Sequence, residues 1–322
     1  MNIEIQEDMI PDESWNDRLL HFLGTVYQTK EYAKFTESAR KWESRYLKFV
    51  TSNGKLIGQL MLNVYSKFEN RKIVSLLKRL TPYDKHVYRW VYGPVVFDSS
   101  FNQDICNALT KYLVLKNCMV SGSEHPLSSG SLSSLGAPFT YKTWGTFLID
   151  LSVGKEILWS KLDKHSAKKN IERSQERGVT ITEMKKSDLI GYHKMLHETK
   201  LKAGGYQHLS RLEQLWDILH PIGLTGFMAY ENGQPIGGIM ISSFNGYINE
   251  WGVARSERDT IAKLYSQDLL KWKIIEWGIE NKCHYYDLSG VNPDPVDQKE
   301  MGIYKYKKKW GGDFIKYGLI SL

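Results

Sequence analysis

The chain has 322 residues, of which 42% are hydrophobic, 12% aromatic and 25% charged, and its formal net charge is +7. That length predicts two domains of about 150 residues, and the composition excludes a largely disordered chain. The excess of positive charge favours an anionic partner such as RNA, a phosphorylated metabolite or an anionic membrane face touched peripherally.

The opening MNIEIQEDMIPDESW is acidic and lacks the basic and apolar regions of a signal peptide. No run approaches the about 18 apolar residues of a membrane span, so a cytoplasmic protein with no transmembrane segment is expected. Residues 46–65, YLKFVTSNGKLIGQLMLNVY, read as two strands joined at Asn53-Gly54, the dipeptide suited to a type I′ turn. YRWVYGPVVFD follows, then a helix-like NQDICNALTKYLVLKN. The Ser, Gly and Pro content of Ser121–Gly145 predicts a loop or linker. After it TFLIDL makes a strand, and Glu156–Arg177 is a basic helical stretch closed by Gly178, a C-cap residue.

His193 and His197 have zinc-ligand spacing, but HKMLH lacks the glutamate of a metalloprotease motif, and both are read as helix surface or packing residues. Cys106, Cys118 and Cys283 are odd in number and unevenly spaced, which supports buried free thiols over a disulfide framework or a metal site. Neither a metal nor a cofactor is expected.

Residues 226–245, GFMAYENGQPIGGIMISSFN, repeat the earlier hairpin: Asn232, Gly233, Ile236 and Gly237 stand in register with Asn53, Gly54, Ile57 and Gly58. YINEWGVARS follows, then IAKLYSQDLLKWKIIEWGIENK, in which Ile261, Leu264, Tyr265, Leu269, Ile274 and Trp277 keep helical spacing. CHYYDLSGV is a short strand running into a turn. Hairpin, strand, long helix and strand, given twice, predict an α/β (α+β) chain built from two copies of one domain, each a mostly antiparallel sheet flanked by helices. The expected domains are residues 1–145, completed by a C-terminal segment 311–322, and residues 146–310.

The repeat, together with YQTKEYAKF, YGPVVFD, HSAKKNIERSQERGV, YYDLSGV and GIYKYKKKWGG in this order, resembles the FemABX family of peptidoglycan interpeptide-bridge aminoacyltransferases. The resemblance covers most of the chain. It implies two tandem GNAT-like acyltransferase domains, the first on the acceptor side and the second on the acyl-donor side. It further implies transfer of an aminoacyl group from a charged tRNA to an amine of a peptidoglycan precursor. Such chemistry requires positioning, stabilisation of a tetrahedral oxyanion and a route for the proton that the amine loses.

The family register of GIYKYKKKWGG, aromatic-x-aromatic-Lys-x-x-aromatic-Gly, falls on Tyr304 to Gly311 and puts Tyr306 and Lys307 on its aromatic-Lys pair. Lys307 would then stabilise the oxyanion or the tRNA 3′ end with Tyr306 beside it, while the bland alternative is a solvated basic face on a strand or loop. Lys305 and Lys308, with Lys168, Lys169 and Arg173 of the basic helix, are candidate tRNA phosphate contacts. Interleaved Glu156, Asp163, Glu172 and Glu176 suit an ordinary salt-bridged helix equally well. Arg211 falls where the resemblance implies a contact to substrate phosphate. The family pattern is departed from at Tyr92, where an arginine is usual, and at Leu215, where a tyrosine is usual. Asp287, ending its strand, is a candidate proton acceptor or a turn holder, and Glu250 in NEWG is a second candidate base. Glu250, Trp251, Asp98 and Lys34 complete the candidate substrate contacts, Asp98 being also a simple turn cap.

Two other readings compete. One is a GNAT-like transferase using acyl-CoA or a carrier protein on a sugar or small amine. Against it, VARSERDTIAK lacks the glycine-rich loop that cradles a CoA pyrophosphate at a helix N-terminus. The other is a non-catalytic RNA- or glycan-binding protein of the same fold.

Overall fold

The computed structural model of the chain describes residues 2–66, 86–128, 130–201 and 208–322. Two compact units result: Met1–Gly145 with Lys316–Leu322, and Thr146–Ile315.

Unit 1 contains strands β1 (Ile3–Asp8), β2 (Glu43–Thr51), β3 (Leu56–Ser66), β4 (His86–Arg89), β5 (Val95–Val96) and β6 (Met119–Ser123). Its helices are α1 (Trp15–His21), α2 (Lys30–Arg40) and α3 (Asn102–Leu115). The sheet runs β1-β2-β3-β4-β6, with β5 paired to β3 and the end of the last strand, β13 (Asp313–Ser321), paired to β6. Only the β4–β6 pairing is parallel among these, because α3 carries the chain between those strands. Alternation on the strands turns Leu47 and Phe49 of β2 and Leu60, Leu62 and Val64 of β3 to one face. Ile105, Leu109 and Leu113 of α3, spaced by four, cover that face.

Unit 2 repeats the plan with β7 (Thr140–Asp150, from Thr146 onward), β8 (Thr180–Glu183), β9 (Leu224–Glu231), β10 (Gln234–Ser242), β11 (Tyr247–Arg255) and β12 (Tyr285–Val291). The order is β7-β12-β11-β10-β9-β8. Again the strands flanking the long helix, β11 and β12, are parallel. Helices α4 (Lys155–Lys161), α5 (Lys169–Glu176), α6 (Leu189–Leu201), α7 (Leu209–Leu219), α8 (Glu257–Ile261), α9 (Ser266–Glu280) and α10 (Gln298–Lys308) complete it. Both halves therefore have the mostly antiparallel, helix-flanked sheet that the repeat predicts.

The repeated glycine has a physical reason in each half. A Cβ on Gly58 would lie 3.1 Å from Ile105 Cδ1 of α3, and one on Gly237 would lie 2.6 Å from Ser266 Oγ and 2.8 Å from Gln267 Nε2 of α9. The missing side chain is what lets the first turns of each long helix close onto the hairpin.

Several local expectations change. Asn232 and Gly233 both have positive φ and make the two-residue turn expected, but in the first hairpin only Gly54 does. There Gly54 N–H donates to Thr51 O and Thr51 N–H to Lys55 O, so the loop is one residue longer, a type I turn closed by a left-handed glycine. The long helix begins at Ser266 rather than Ile261, because Lys263 and Tyr265 are left-handed and the Asp259 carboxylate receives the Ser266 N–H at 2.9 Å. Ile261 is accordingly 75% exposed. The basic stretch is two helices separated at Leu162, with a π turn over Lys164–Lys168, and Gly178 closes it at φ 73°. Ser121–Gly145 holds the end of β6 and the start of β7 besides its loop. Among the described residues no helix is long and apolar enough to cross a membrane.

Candidate active site

In unit 2 the first turns of α9, the far end of β11, the start of α5 and one face of α10 line a cavity of about 720 Å³. A β-bulge prepares it. Met240 pairs with Gly252 and Ile241 with Glu250, which leaves Trp251 as an extra residue on β11. The extra residue shifts the alternation, so Glu250, Val253 and Arg255 all reach the same cavity despite their mixed parity.

GIYKYKKKWGG is helical from Gly302 to Lys308, the C-terminal part of α10, and turns out of the helix over Lys309–Gly312. Asp297 caps α10 by accepting the Glu300 N–H at 2.7 Å, and Gly311 ends the segment at φ 72°. The spacing of three and four residues then collects Lys299, Gly302, Ile303, Tyr306 and Lys307 on the cavity face. Lys305 and Lys308 point away and are exposed. Trp310, 1% exposed, anchors the C-terminal end in the unit 2 core.

Lys307 reaches the end of β12, where its Nζ donates to the carbonyls of Ser289 at 3.0 Å and Gly290 at 2.8 Å. Burial lowers its pKa to about 8; the Lys271 ammonium adds to the lowering, while Glu250 and Asp287 oppose it. Lys271, 3% exposed, is ion-paired with Glu250 and lies between two rings, 5.6 Å from that of Tyr286 and 5.8 Å from that of Tyr306. Tyr286 also donates to Glu250 Oε1. Burial, with Asp268 and Glu250 nearby, pushes the Tyr306 phenol well above its ordinary range. Tyr306 is therefore a neutral hydroxyl in this site. Lys309 pairs with Asp268 and lies 4.4 Å over the Tyr306 ring, and Asn170 of α5 donates to Asp268 at 3.0 Å.

The cavity thus unites Lys307, Tyr306 and Glu250 of the residues singled out in the sequence. Asp287 does not fit the role of proton acceptor. It is fully buried and already accepts from Thr146 Oγ1, Tyr247 Oη at 3.0 Å, Asn249 Nδ2 at 3.3 Å and Ser289 N at 2.8 Å, so it holds the turn that presents the carbonyls to Lys307. Trp251 is the bulge residue and donates to Ser242 Oγ at 2.9 Å. Asp98, in unit 1, caps a short 3-10 turn through Ser100, the structural one of its two readings. Lys34 is exposed on α2 in unit 1, and Arg211 is half-buried in the first turn of α7. Lys168 lies 5.7 Å from the Trp159 ring, Lys169 is exposed, and Arg173 lies 5.9 Å from the ring of Tyr265, a cavity residue. Asn170, Arg255, Gln267, Asp268 and Lys271 were not singled out. A lysine inside the apolar run LLKWKII was the available signal for Lys271.

Among solved structures FemX matches with a TM-score of 0.74 at 13% identity, covering 98% of this chain and 96% of that one. The chain has the FemX fold. L-PGS from Bacillus licheniformis follows at TM-score 0.58 and 13% identity, over 97% of this chain and 92% of that one. A tandem GNAT protein from the clavulanic acid biosynthesis pathway matches at TM-score 0.50 and 11% identity, over 99% and 97%. The two units are thus GNAT-like domains in tandem, and the likeness to FemX at this identity is one of fold. No family model and no curated protein sequence matches the chain.

Proposed function

We propose that the protein is an aminoacyltransferase that moves an amino acid from aminoacyl-tRNA to an amine of a peptidoglycan precursor peptide. The observation that carries the reading is Lys307: a half-buried amine fixed by two carbonyls at a strand end, lining a cavity large enough for an aminoacyl ester. Two of its three N–H directions are used, and the third is available to a substrate oxygen.

In the proposed reaction the acceptor amine attacks the ester carbonyl carbon. A C–N bond forms, and the carbonyl electron pair becomes an oxyanion held by Lys307. Collapse breaks the ester C–O bond. The tRNA ribose hydroxyl leaves and takes up a proton, and the amine gives one up. One preorganised donor to such an oxyanion is worth about 3 kcal/mol of barrier. Tyr306, neutral and beside Lys307, is the second proposed contact to the ester. Exposed Lys305 and Lys308, with Lys168, Lys169 and Arg173, are proposed for tRNA phosphates, and Arg211 for a phosphate of the acceptor.

An acyl-CoA donor is disfavoured by α9. In a CoA-binding arrangement the free N–H groups at a helix N-terminus receive the pyrophosphate. Here the Asp259 carboxylate, fully buried and paired with Arg255, already occupies the Ser266 N–H. A second anion at that place would meet a fixed negative charge.

The test supplies a muropeptide precursor with either a mixture of labelled aminoacyl-tRNAs or labelled acetyl-CoA. The reading expects label in the acceptor from the tRNA mixture. Label arriving only from CoA overturns it.

A further inference from the structure

Gly302 sits in the interior of α10 (Gln298–Lys308), where glycine is the poorest helix former after proline. Close packing requires some helical glycines of this fold: a Cβ on Gly278, in α9, would lie 2.8 Å from Ile248 Cδ1 and 2.8 Å from Leu151 Cδ1. A Cβ on Gly302 would meet no described atom within 4 Å, and its φ is not positive. Neither packing nor backbone conformation therefore asks for glycine there. Gly302 lines the cavity, so the absent side chain leaves bare helix backbone open to whatever the cavity holds. A residue that breaks the local rule without a structural return marks a place where a ligand comes close to the backbone.

The same helix face is positive. Around the cavity Lys271 is matched by Glu250, Lys309 by Asp268 and Arg255 by Asp259. Lys307 is held by two carbonyls, which carry no net charge to neutralise it. Lys299 lines the cavity and pairs with no carboxylate among the described residues. These two unneutralised cations are rooted about 12 Å apart along the helix axis, with Gly302 and Ile303 between them. The face thus offers a ligand positive charge at either end, and bare backbone with one apolar side chain in the middle.

We infer that this face seats the terminal nucleotide of the donor, with Lys299 on its 5′-phosphate, Gly302 and Ile303 against its sugar, and Lys307 at the ester. The inference rests on the aminoacyl-transfer reading and names the part of the donor that the cavity grips. In a nucleotide esterified on its ribose, the ester carbonyl and the 5′-phosphate lie on either side of one sugar. Two long side chains about two turns apart on one helix can close on both, each giving an N–H to an oxygen that carries or develops negative charge. A cavity of about 720 Å³ has room for such a group. A side chain at position 302 would stand where the sugar lies.

The experiment is equilibrium dialysis of the full chain against labelled 3′-alanylamino-3′-deoxyadenosine and against its 5′-phosphate, amide analogues of the donor's end. Wild type should bind the phosphorylated analogue about tenfold or more tighter, the scale of one hydrogen bond between charged groups. Lys299→Met should remove that preference while binding the unphosphorylated analogue as before. Gly302→Ala should weaken both analogues by about tenfold or more while raising the melting temperature by about 2 °C, because alanine suits a helix better. A purely structural glycine would show the gain in stability alone. Equal binding of the two analogues by wild type overturns the inference, as do failure of both to bind, a preference that survives Lys299→Met, and undiminished binding by Gly302→Ala. Equal binding together with transfer of label from aminoacyl-tRNA removes the seat and keeps the transfer reading. The preference without transfer to a precursor supports the seat and counts against that reading instead.

Discussion

The Nζ of Lys307 lies 2.8 Å from the carbonyl oxygen of Gly290, so the lysine of α10 is tied to the end of β12. Asp287 secures the other side of that contact by accepting the Ser289 N–H at 2.8 Å. Helix and strand end thus share one small polar joint. Its side chain is a group whose charge burial makes costly, in a cavity that a substrate can fill.

With a pKa lowered to about 8, Lys307 is mostly charged at neutral pH and loses its charge above pH 8. If its role is that of a cation, the transfer rate should fall as pH rises through about 8. Lys307→Arg, which keeps its charge far beyond that pH, should move the fall upward by a unit or more even if its rate is lower throughout. A pH–rate profile of both proteins checks this, and a wild-type rate that climbs steadily to pH 9.5 would assign Lys307 to the base instead.

The same shift has a stability consequence. The folded pKa lies below the ordinary lysine value of 10.5, so near neutrality the unfolded chain holds the proton more readily. The resulting penalty is complete below pH 8 and disappears as pH rises from 8 to 10.5. Lys307→Met removes it, offset in part by two lost hydrogen bonds, and should stabilise the protein by about 1–2 kcal/mol at pH 7. Urea unfolding at pH 7 and pH 10 should show the gain at the first and its loss at the second.

His125 in unit 1 gives the opposite limb. It is 3% exposed, its Nδ1 accepts the Leu127 N–H at 3.1 Å, and burial lowers its pKa to about 3. The unfolded chain binds a proton there below the ordinary value of 6.5, so stability should fall as pH drops from 6.5 toward 3. His125→Asn should flatten that decline by several kcal/mol over the whole interval, whatever it costs at neutral pH. Thermal melts across the acid range supply the comparison.

For the phosphate contacts, Lys305→Ala, Lys308→Ala and Lys169→Ala change exposed side chains and should leave the melting temperature within about 2 °C. Each should weaken tRNA binding and lower the slope of log affinity against log salt by about 1. An unchanged slope in any one of them removes that residue from the interface.

How much of this was legible depends on which signals are local. The duplicated hairpins with their matched glycines gave the fold, because a turn dipeptide, a glycine at a close approach and alternating strands are each written in a few neighbouring residues. Lys307 and Tyr306 came from a resemblance carried by a phrase. The bland strand-or-loop alternative for that phrase follows from Tyr304, Tyr306 and the lysines alternating as a strand would, whereas the face that matters repeats every three or four residues. Asp287 was credited with chemistry because a carboxylate ending a strand can serve either purpose, and only its four donors, from Thr146 to Ser289, decide between them. Gln267 was illegible. An amide in the first turn of a helix carries no mark until Ala254, 13 residues earlier, claims one of its ends and leaves the other empty.

The account depends most on Lys307 acting in the chemical step, and a single-turnover measurement tests that alone. Aminoacyl-tRNA is bound in excess enzyme, the precursor is added, and the first-order rate of transfer is followed for wild type and Lys307→Met. The prediction is a fall of about 100-fold or more, with the donor still bound and the variant folded. Equal first-order rates would contradict the account.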